Sequence, residues 1–206
     1  MKAQLGYQDA LLVVDAQNDF FPGGALAVDE GDEIIPVLNA WIEAAEEAGS
    51  KIYATRDWHP ENHSTFKPQG GPWPVHCVQG SRGAEFHPRL NLPSRTKVVS
   101  KGDEPDSEGY SAFQATDLSS RLQNDDVVRL WVGGLAQDYC VKHTVLDALK
   151  TGLEVHLIKP ATRPVNLNPG DGDEALQQML AAGAILEESP EGQVVAKHSV
   201  VRMAHL

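Results

Sequence analysis

The 206-residue sequence is poor in cysteine, in long apolar runs and in positive charge. Its only two cysteines, Cys77 and Cys140, are too few for a fold built on disulfides. No apolar run approaches the ~20 residues that span a membrane. Lysine and arginine number 17 against 29 acidic residues, which gives a net charge of −12. Because such a surface repels phosphate backbones and anionic lipids, nucleic acid and membranes are excluded as expected partners.

The remaining composition is that of a globular chain. Hydrophobic residues make up 41% and charged residues 22%, so we predict a single domain over residues 1–206 with a substantial core. Residues 1–9 lack the apolar core and cleavage site of a signal peptide, which predicts a cytoplasmic protein. In a reducing compartment the two thiols stay free, so one of them is a candidate nucleophile.

Apolar runs alternate with helical spacing along the chain. This alternation predicts an α/β fold with an open, mostly parallel sheet of about six strands and helices on both faces. Gly133 and Gly134 are expected to break the fourth strand, and residues 191–206 are left unassigned, as an edge strand or a partner contact. The predicted strands cover residues 10–14, 51–55, 97–100, 127–132, 154–158 and 184–186, and the helices cover 34–48, 117–122, 138–150 and 173–182.

Three residues of catalytic type follow predicted strands. Cys140 stands where a helix begins, and the helix dipole and free N–H groups there are expected to lower its pKa and to hold an oxyanion. Asp15 ends a buried strand, where burial raises the pKa of a carboxylate toward that of a general base. Taken singly, Cys140 is equally a core cysteine, Asp15 a cap and Lys101 a surface lysine. At the carboxyl ends of parallel strands, however, the three are expected to meet.

The long irregular segment 57–93 contains a candidate metal site. Asp57 and His59 are two residues apart, so in an extended backbone they point the same way, and His76 can close the site. His63 and Ser64 are candidates for a further ligand or for support, with water as the alternative. Two imidazoles and one carboxylate suit one divalent ion, zinc first, with iron or manganese as alternatives. The competing interpretation is that these histidines only hydrogen-bond within the loop.

Five short segments occur together in one order: DAQNDF at 15–20, DWHP at 57–60, WPVHC at 73–77, SKG at 100–102 and GGLAQDYC at 133–140. Together they resemble the nicotinamidases, a group of the isochorismatase-like cysteine hydrolases, and the resemblance runs from Ala10 to about Ile185. It implies an amidohydrolase of NAD salvage that converts nicotinamide to nicotinic acid and ammonia through a cysteine thioester. Pyrazinamide, with a ring of similar shape, is an expected further substrate.

The resemblance also implies roles for individual residues. The catalytic set would be Asp15, Lys101 and Cys140, and a metal that orients the pyridine ring would bind Asp57, His59 and His76. A cis peptide bond is implied before Ala136, with the oxyanion held by the N–H groups of Ala136 and Cys140. Three aromatic residues are implied as contacts of the ring: Phe20, Trp73 and Tyr110. Without the resemblance, packing within the loops would explain them equally well.

Three rival functions stay open at this point. The first is another hydrolase of the same superfamily, acting on isochorismate or on a carbamoyl or other small amide; the isochorismate enzymes are expected to lack the metal residues. The second is an amidase in which a metal-bound water attacks and Cys140 is incidental. The third is a non-catalytic sensor of small molecules. The expected partner is the small-molecule substrate nicotinamide, with assembly into a homo-oligomer as an option.

Overall fold

A six-stranded parallel sheet forms the centre of the computed structural model, which describes residues 4–189. The predicted α/β class is therefore confirmed. The strand order is β3-β2-β1-β4-β5-β6. The strands are β1 (Asp9–Val14), β2 (Lys51–Asp57), β3 (Lys97–Lys101), β4 (Arg129–Leu135), β5 (Glu154–Arg163) and β6 (Ile185–Glu187), and the helices are α1 (Ile34–Ala48), α2 (Leu118–Asn124), α3 (Lys142–Lys150) and α4 (Asp171–Ala181).

The central strand β1 explains why helices cover both faces of the sheet. All its residues are buried, and successive side chains point to opposite faces. Leu11 and Val13 pack with α1 in one apolar cluster. Leu12 and Val14 pack in a second cluster that includes residues of α2, α3 and α4. From Ala10 to Val14 the strand is apolar on both faces, as the continuous run in the sequence predicted, and the buried Asp9 at its start pairs with Arg129.

The sheet changes direction beside β1, and this position determines where ligands can bind. β1 pairs in parallel with β2 on one side and with β4 on the other, although β4 comes much later in the chain. The connections therefore leave β1 and β4 in opposite directions and open a crevice at their carboxyl ends. Any residue that directly follows β1 or β4 lies at this crevice.

The structure corrects the predicted ends of three elements. β4 is not broken at its two glycines but continues to Leu135, because Gly134 adopts φ +132° and a Cβ there would lie 2.0 Å from the Val14 carbonyl oxygen. β5 extends to Arg163, past an irregularity at which its pairing with β4 shifts. The helix predicted from residue 138 begins as a π turn, Gln137–Val141, which leads into α3.

Three further expectations have different outcomes. Within residues 4–189, no helix is long and apolar enough to cross a membrane. The unassigned segment 191–206 lies outside the described residues. A single domain over the full 206 residues stays a prediction.

Candidate active site

Asp15, Lys101 and Cys140 converge at the crevice. The Lys101 ammonium lies 2.8 Å from Asp15 Oδ2 and 3.3 Å from Cys140 Sγ. All three residues are buried. They arrive from the end of β1, the end of β3 and the turn after β4, so the parallel topology brings together residues that are far apart in sequence.

Lys101 is the charged centre of this group. Besides Asp15 and Cys140, its ammonium contacts Asp57 Oδ1 at 2.5 Å and donates to the Gly109 carbonyl oxygen at 2.7 Å. Burial alone would lower the pKa of Lys101, but Asp15 and Asp57 raise it well above its usual value. The ammonium is therefore a permanent positive charge in a buried site.

Asp15 has the properties of a general base. Its burial raises its pKa to about 6, although the Lys101 ammonium acts in the opposite direction. Oδ1 accepts a hydrogen bond of 2.7 Å from the Thr55 hydroxyl, which fixes the carboxylate. A carboxylate with a pKa near 6 is ionised at neutral pH and still basic enough to take up a proton.

Cys140 departs from the expectation for its pKa. The start of a helix predicted a lowered value, and this prediction is wrong. Burial raises the pKa of the thiol well above its usual value, and Asp57 and Asp15 raise it further, against the lowering effect of Lys101. Desolvation beside two carboxylates thus outweighs the ammonium. The resting thiol keeps its proton and needs a base to remove it.

The turn that carries Cys140 is held by its own polar side chains. The peptide bond between Leu135 and Ala136 is cis, as predicted. Gln137 donates to the Gly172 carbonyl oxygen at 2.7 Å, and the Asp138 carboxylate accepts from the Val165 N–H at 2.9 Å. Sequence analysis assigned no role to Gln137 or Asp138. The only sign of these roles in the sequence was that two polar residues stand between a buried strand and a helix.

Asp57, His59 and His76 form a buried group with the geometry of a metal site. One potential ligand atom from each lies within 4.8 Å of the others. His59 Nδ1 lies 2.8 Å from the Gly102 carbonyl oxygen, and His76 Nδ1 lies 2.8 Å from that of Pro74. A carbonyl only accepts, so both Nδ1 atoms carry the proton and both Nε2 lone pairs are free for an ion. The three residues therefore fit a divalent metal.

Asp57 joins this group to the catalytic one. Its Oδ1 contacts Lys101, while Oδ2 lies 3.6 Å from His59 Nε2. Burial alone would raise the pKa of Asp57, but the Lys101 ammonium holds it below its usual range. The buried amide of Gln17 bonds both the N–H and the carbonyl of Asp57, each at 2.8 Å. Sequence analysis missed this role of Gln17, which only its place within the DAQNDF segment could have suggested.

The three aromatic residues predicted to contact a ring line one pocket. Phe20, Trp73 and Tyr110 share this space with Cys140. Trp73 Nε1 donates to the Tyr110 hydroxyl at 2.8 Å, so the two aromatic side chains hold each other in place. Its other lining residues include Ala136, Asp57, His59 and His76 from the predicted set and Leu26, Tyr139 and Val165, which the sequence did not single out.

The His59 ring leaves no room for a side chain at Gly102, so a substitution there tests the metal group. Gly102 has φ +61°, and a Cβ there would lie 2.5 Å from His59 Cε1. We therefore expect Gly102→Ala to displace the imidazole and weaken zinc binding about 10- to 100-fold, as loss of a ligand's support does. Competition with a chromophoric chelator measures the affinity.

Gly80→Ala is the matched control. Gly80 has a similar φ of +74°, but a Cβ there meets nothing within 4 Å. It shares the backbone strain without the clash, so it should lose some stability and keep its zinc affinity. Equal zinc affinities in the two variants would contradict the assignment of His59 to the metal group.

Comparison with known proteins gives a consistent result. The family profile of the isochorismatase domain matches residues 9–191. A nicotinamidase from Escherichia coli is 44% identical over 198 residues, which cover 86% of this chain and 93% of that protein.

Solved structures agree in fold as well as in sequence. A pyrazinamidase of Pyrococcus horikoshii, solved in complex with zinc, superposes with a TM-score of 0.84 at 49% identity, covering 88% of this chain and 99% of its own. A protein from L. infantum, solved in complex with nicotinate, has a TM-score of 0.84 at 33% identity, covering 94% and 98% of the two chains.

Proposed function

This chain belongs to the isochorismatase domain family, and from that premise we propose that it hydrolyses nicotinamide to nicotinic acid and ammonia. Pyrazinamide is proposed as a second substrate, on the similarity to a pyrazinamidase. The observation that carries the proposal is the convergence of two groups on one pocket. Cys140, which contacts the Lys101 ammonium beside Asp15, lies at one part of the wall, and a candidate metal group lies at another.

The proposed first half-reaction forms a thioester. Asp15 accepts the thiol proton, and the Lys101 ammonium stabilises the thiolate as Cys140 Sγ attacks the carboxamide carbon. The N–H groups of Ala136 and Cys140 are proposed to hold the oxyanion. The C–N bond then breaks, and the proton on Asp15 passes to the leaving nitrogen, which departs as ammonia.

The second half-reaction releases the acid. Asp15, again a carboxylate, accepts a proton from water as the water oxygen attacks the thioester carbon. The C–S bond breaks, and the proton returns from Asp15 to the Cys140 sulfur. Nicotinic acid leaves and the resting thiol is restored, so one water is consumed for each amide.

Asp57, His59 and His76 would hold one divalent cation, proposed as zinc, with iron or manganese as the alternatives. When bound, this cation supplies a ligand position for the ring nitrogen. The protein's own contribution is to hold the ring: Phe20 and Trp73 line the pocket beside Cys140, where they would orient the ring with its carboxamide at the sulfur.

The rivals fit the site less well. Hydrolysis of isochorismate is disfavoured because the isochorismate enzymes are expected to lack the metal group that this chain contains. The close contacts of Cys140, Lys101 and Asp15 speak against attack by a metal-bound water and against a non-catalytic sensor. A cytoplasmic location, also proposed, suits two free cysteines. Assembly into a homo-oligomer stays a prediction.

Ammonia release tests the function directly. With zinc bound, we expect nicotinamide to be hydrolysed on the order of 10²-fold faster than benzamide, which has no ring nitrogen to occupy the open ligand position. Prior chelation should remove most of this difference, because it removes the group that distinguishes the two rings. Isonicotinamide, with its nitrogen elsewhere on the ring, is the control and should behave like benzamide. Equal rates for nicotinamide and benzamide on the zinc-loaded protein would refute the proposed role of the metal.

A further inference from the structure

The hydrogen bonds of His63 distinguish it from the two histidines of the metal group. His63 is buried; its Nε2 lies 2.7 Å from the Ser107 carbonyl oxygen and its Nδ1 lies 2.7 Å from the Thr65 hydroxyl. The carbonyl can only accept, so Nε2 carries the proton. Nδ1 must then accept from Thr65. Neither nitrogen has a lone pair left for a metal, whereas His59 and His76 each keep one.

Ser107 belongs to the segment 103–108, which connects β3 to the pocket. The segment is fastened at few points: Pro105 accepts from the Ser64 N–H at 2.7 Å, and Asp103 accepts from the Gln79 amide at 3.1 Å. Its four acidic residues are exposed and repel one another, so burial contributes little to holding it. The hydrogen bond from His63 is therefore a main attachment of this segment.

The residues that directly follow the segment belong to the active site. The Gly109 carbonyl oxygen accepts from the Lys101 ammonium at 2.7 Å. The Tyr110 hydroxyl accepts from Trp73 at the pocket wall. A displacement of Ser107 would move both groups, because only one residue separates it from Gly109.

We infer that His63 is a positioning residue, which fastens segment 103–108 and thereby sets Gly109 and Tyr110, and that it is not a fourth metal ligand. The inference goes beyond the proposed function and rests on it only where turnover is measured. It removes His63 from the candidate ligands and leaves water or Ser64 for the open positions.

Two substitutions of His63 separate the roles. In His63→Gln the side-chain amide can still donate to the Ser107 carbonyl, but it is a poor substitute for an imidazole ligand. His63→Leu removes both hydrogen bonds. Three quantities are measured on each zinc-loaded variant: zinc content after dialysis, the rate of cleavage after Glu108 by a glutamate-specific protease, and KM and kcat for nicotinamide.

We expect zinc content to stay at the wild-type level in both variants. In His63→Leu, cleavage after Glu108 should accelerate about tenfold and KM should rise by a similar factor, the usual effect of an unmade buried hydrogen bond. In His63→Gln both quantities should return to within about threefold of wild type. Cleavage after other exposed glutamates, such as Glu61, should not change, which separates local opening from general unfolding.

Several outcomes would overturn the inference. Equal loss of zinc from both variants would make His63 a ligand. Zinc retained with unchanged cleavage and KM in His63→Leu would show that the segment needs no fastening, and failure of His63→Gln to restore them would show that the hydrogen bond is not the cause. If His63→Leu does not fold, His63→Asn takes its place, because its shorter amide cannot reach the Ser107 carbonyl, and wild-type cleavage after Glu108 in that variant would also refute the inference. The zinc and protease measurements hold even if nicotinamide is not the substrate.

Discussion

Replacing Cys140 with alanine should lower nicotinamide turnover by a factor on the order of 10⁴–10⁶, as removal of a covalent nucleophile does in other hydrolases. The reason is that the carboxamide then meets no sulfur beside Asp15 and Lys101. The fold should persist, because alanine fills the same buried position with a smaller side chain. Ammonia release measures the turnover, and circular dichroism and thermal unfolding check the fold.

The second cysteine supplies the matched control. Cys77 is also buried, but its sulfur lies 4.0 Å from the Gly83 carbonyl oxygen and not beside Lys101. Cys77→Ala should therefore keep its activity within several-fold of wild type. Near-normal turnover in Cys140→Ala would remove the covalent mechanism and favour attack by a metal-bound water.

Asp15→Asn and Lys101→Ala should each reduce kcat by a factor on the order of 10³ or more. Asparagine cannot take the thiol proton, and without Lys101 the thiolate forms beside two uncompensated carboxylates. Because the residues act as one set, the double variant should be about as slow as the slower single variant. Single-turnover measurements on all three variants test this, and losses that multiply in full would show that the residues act independently.

The pH dependence of the activity tests the role of Asp15 in a second way. Asp15 must be a carboxylate to act as a base, and its pKa is raised to about 6. Activity of the unmodified protein should therefore fall as the pH drops through about 6, where Asp15 becomes protonated. The residual activity of Asp15→Asn should lack this decline. A decline that persists in the variant would assign it to another group.

The parts of the fold and site that were predictable depend on local sequence or on topology. The apolar run before Asp15 indicates a strand buried on both faces, and parallel strands bring their carboxyl ends together. This is enough to expect Asp15, Lys101 and Cys140 in one place. The two glycines of β4 were misread, because a glycine that breaks a strand and one that admits a neighbouring backbone look alike in sequence.

Other properties depend on contacts between residues far apart in the chain. The pKa of Cys140 is set by burial and by side chains from other strands, so its position at a helix start predicted the wrong direction. The roles of Gln17 and His63 depend on which backbone carbonyls they meet. His59, His63 and His76 are all candidate ligands by sequence, and only their hydrogen-bond partners at 2.7–2.8 Å separate the two with a free lone pair from His63.

The position of Lys101 has a consequence for how the site is charged. Asp15, Asp57 and Cys140 present ligand atoms within 4.8 Å of one another, as the residues of the metal group also do. The Lys101 ammonium touches all three, so the chain fills this second position with a cation of its own. The arrangement is that of a binuclear centre in which one of the two cations is covalently tethered. A chelator can remove only the exchangeable cation, and the sulfur keeps its positive neighbour whatever the supply of metal.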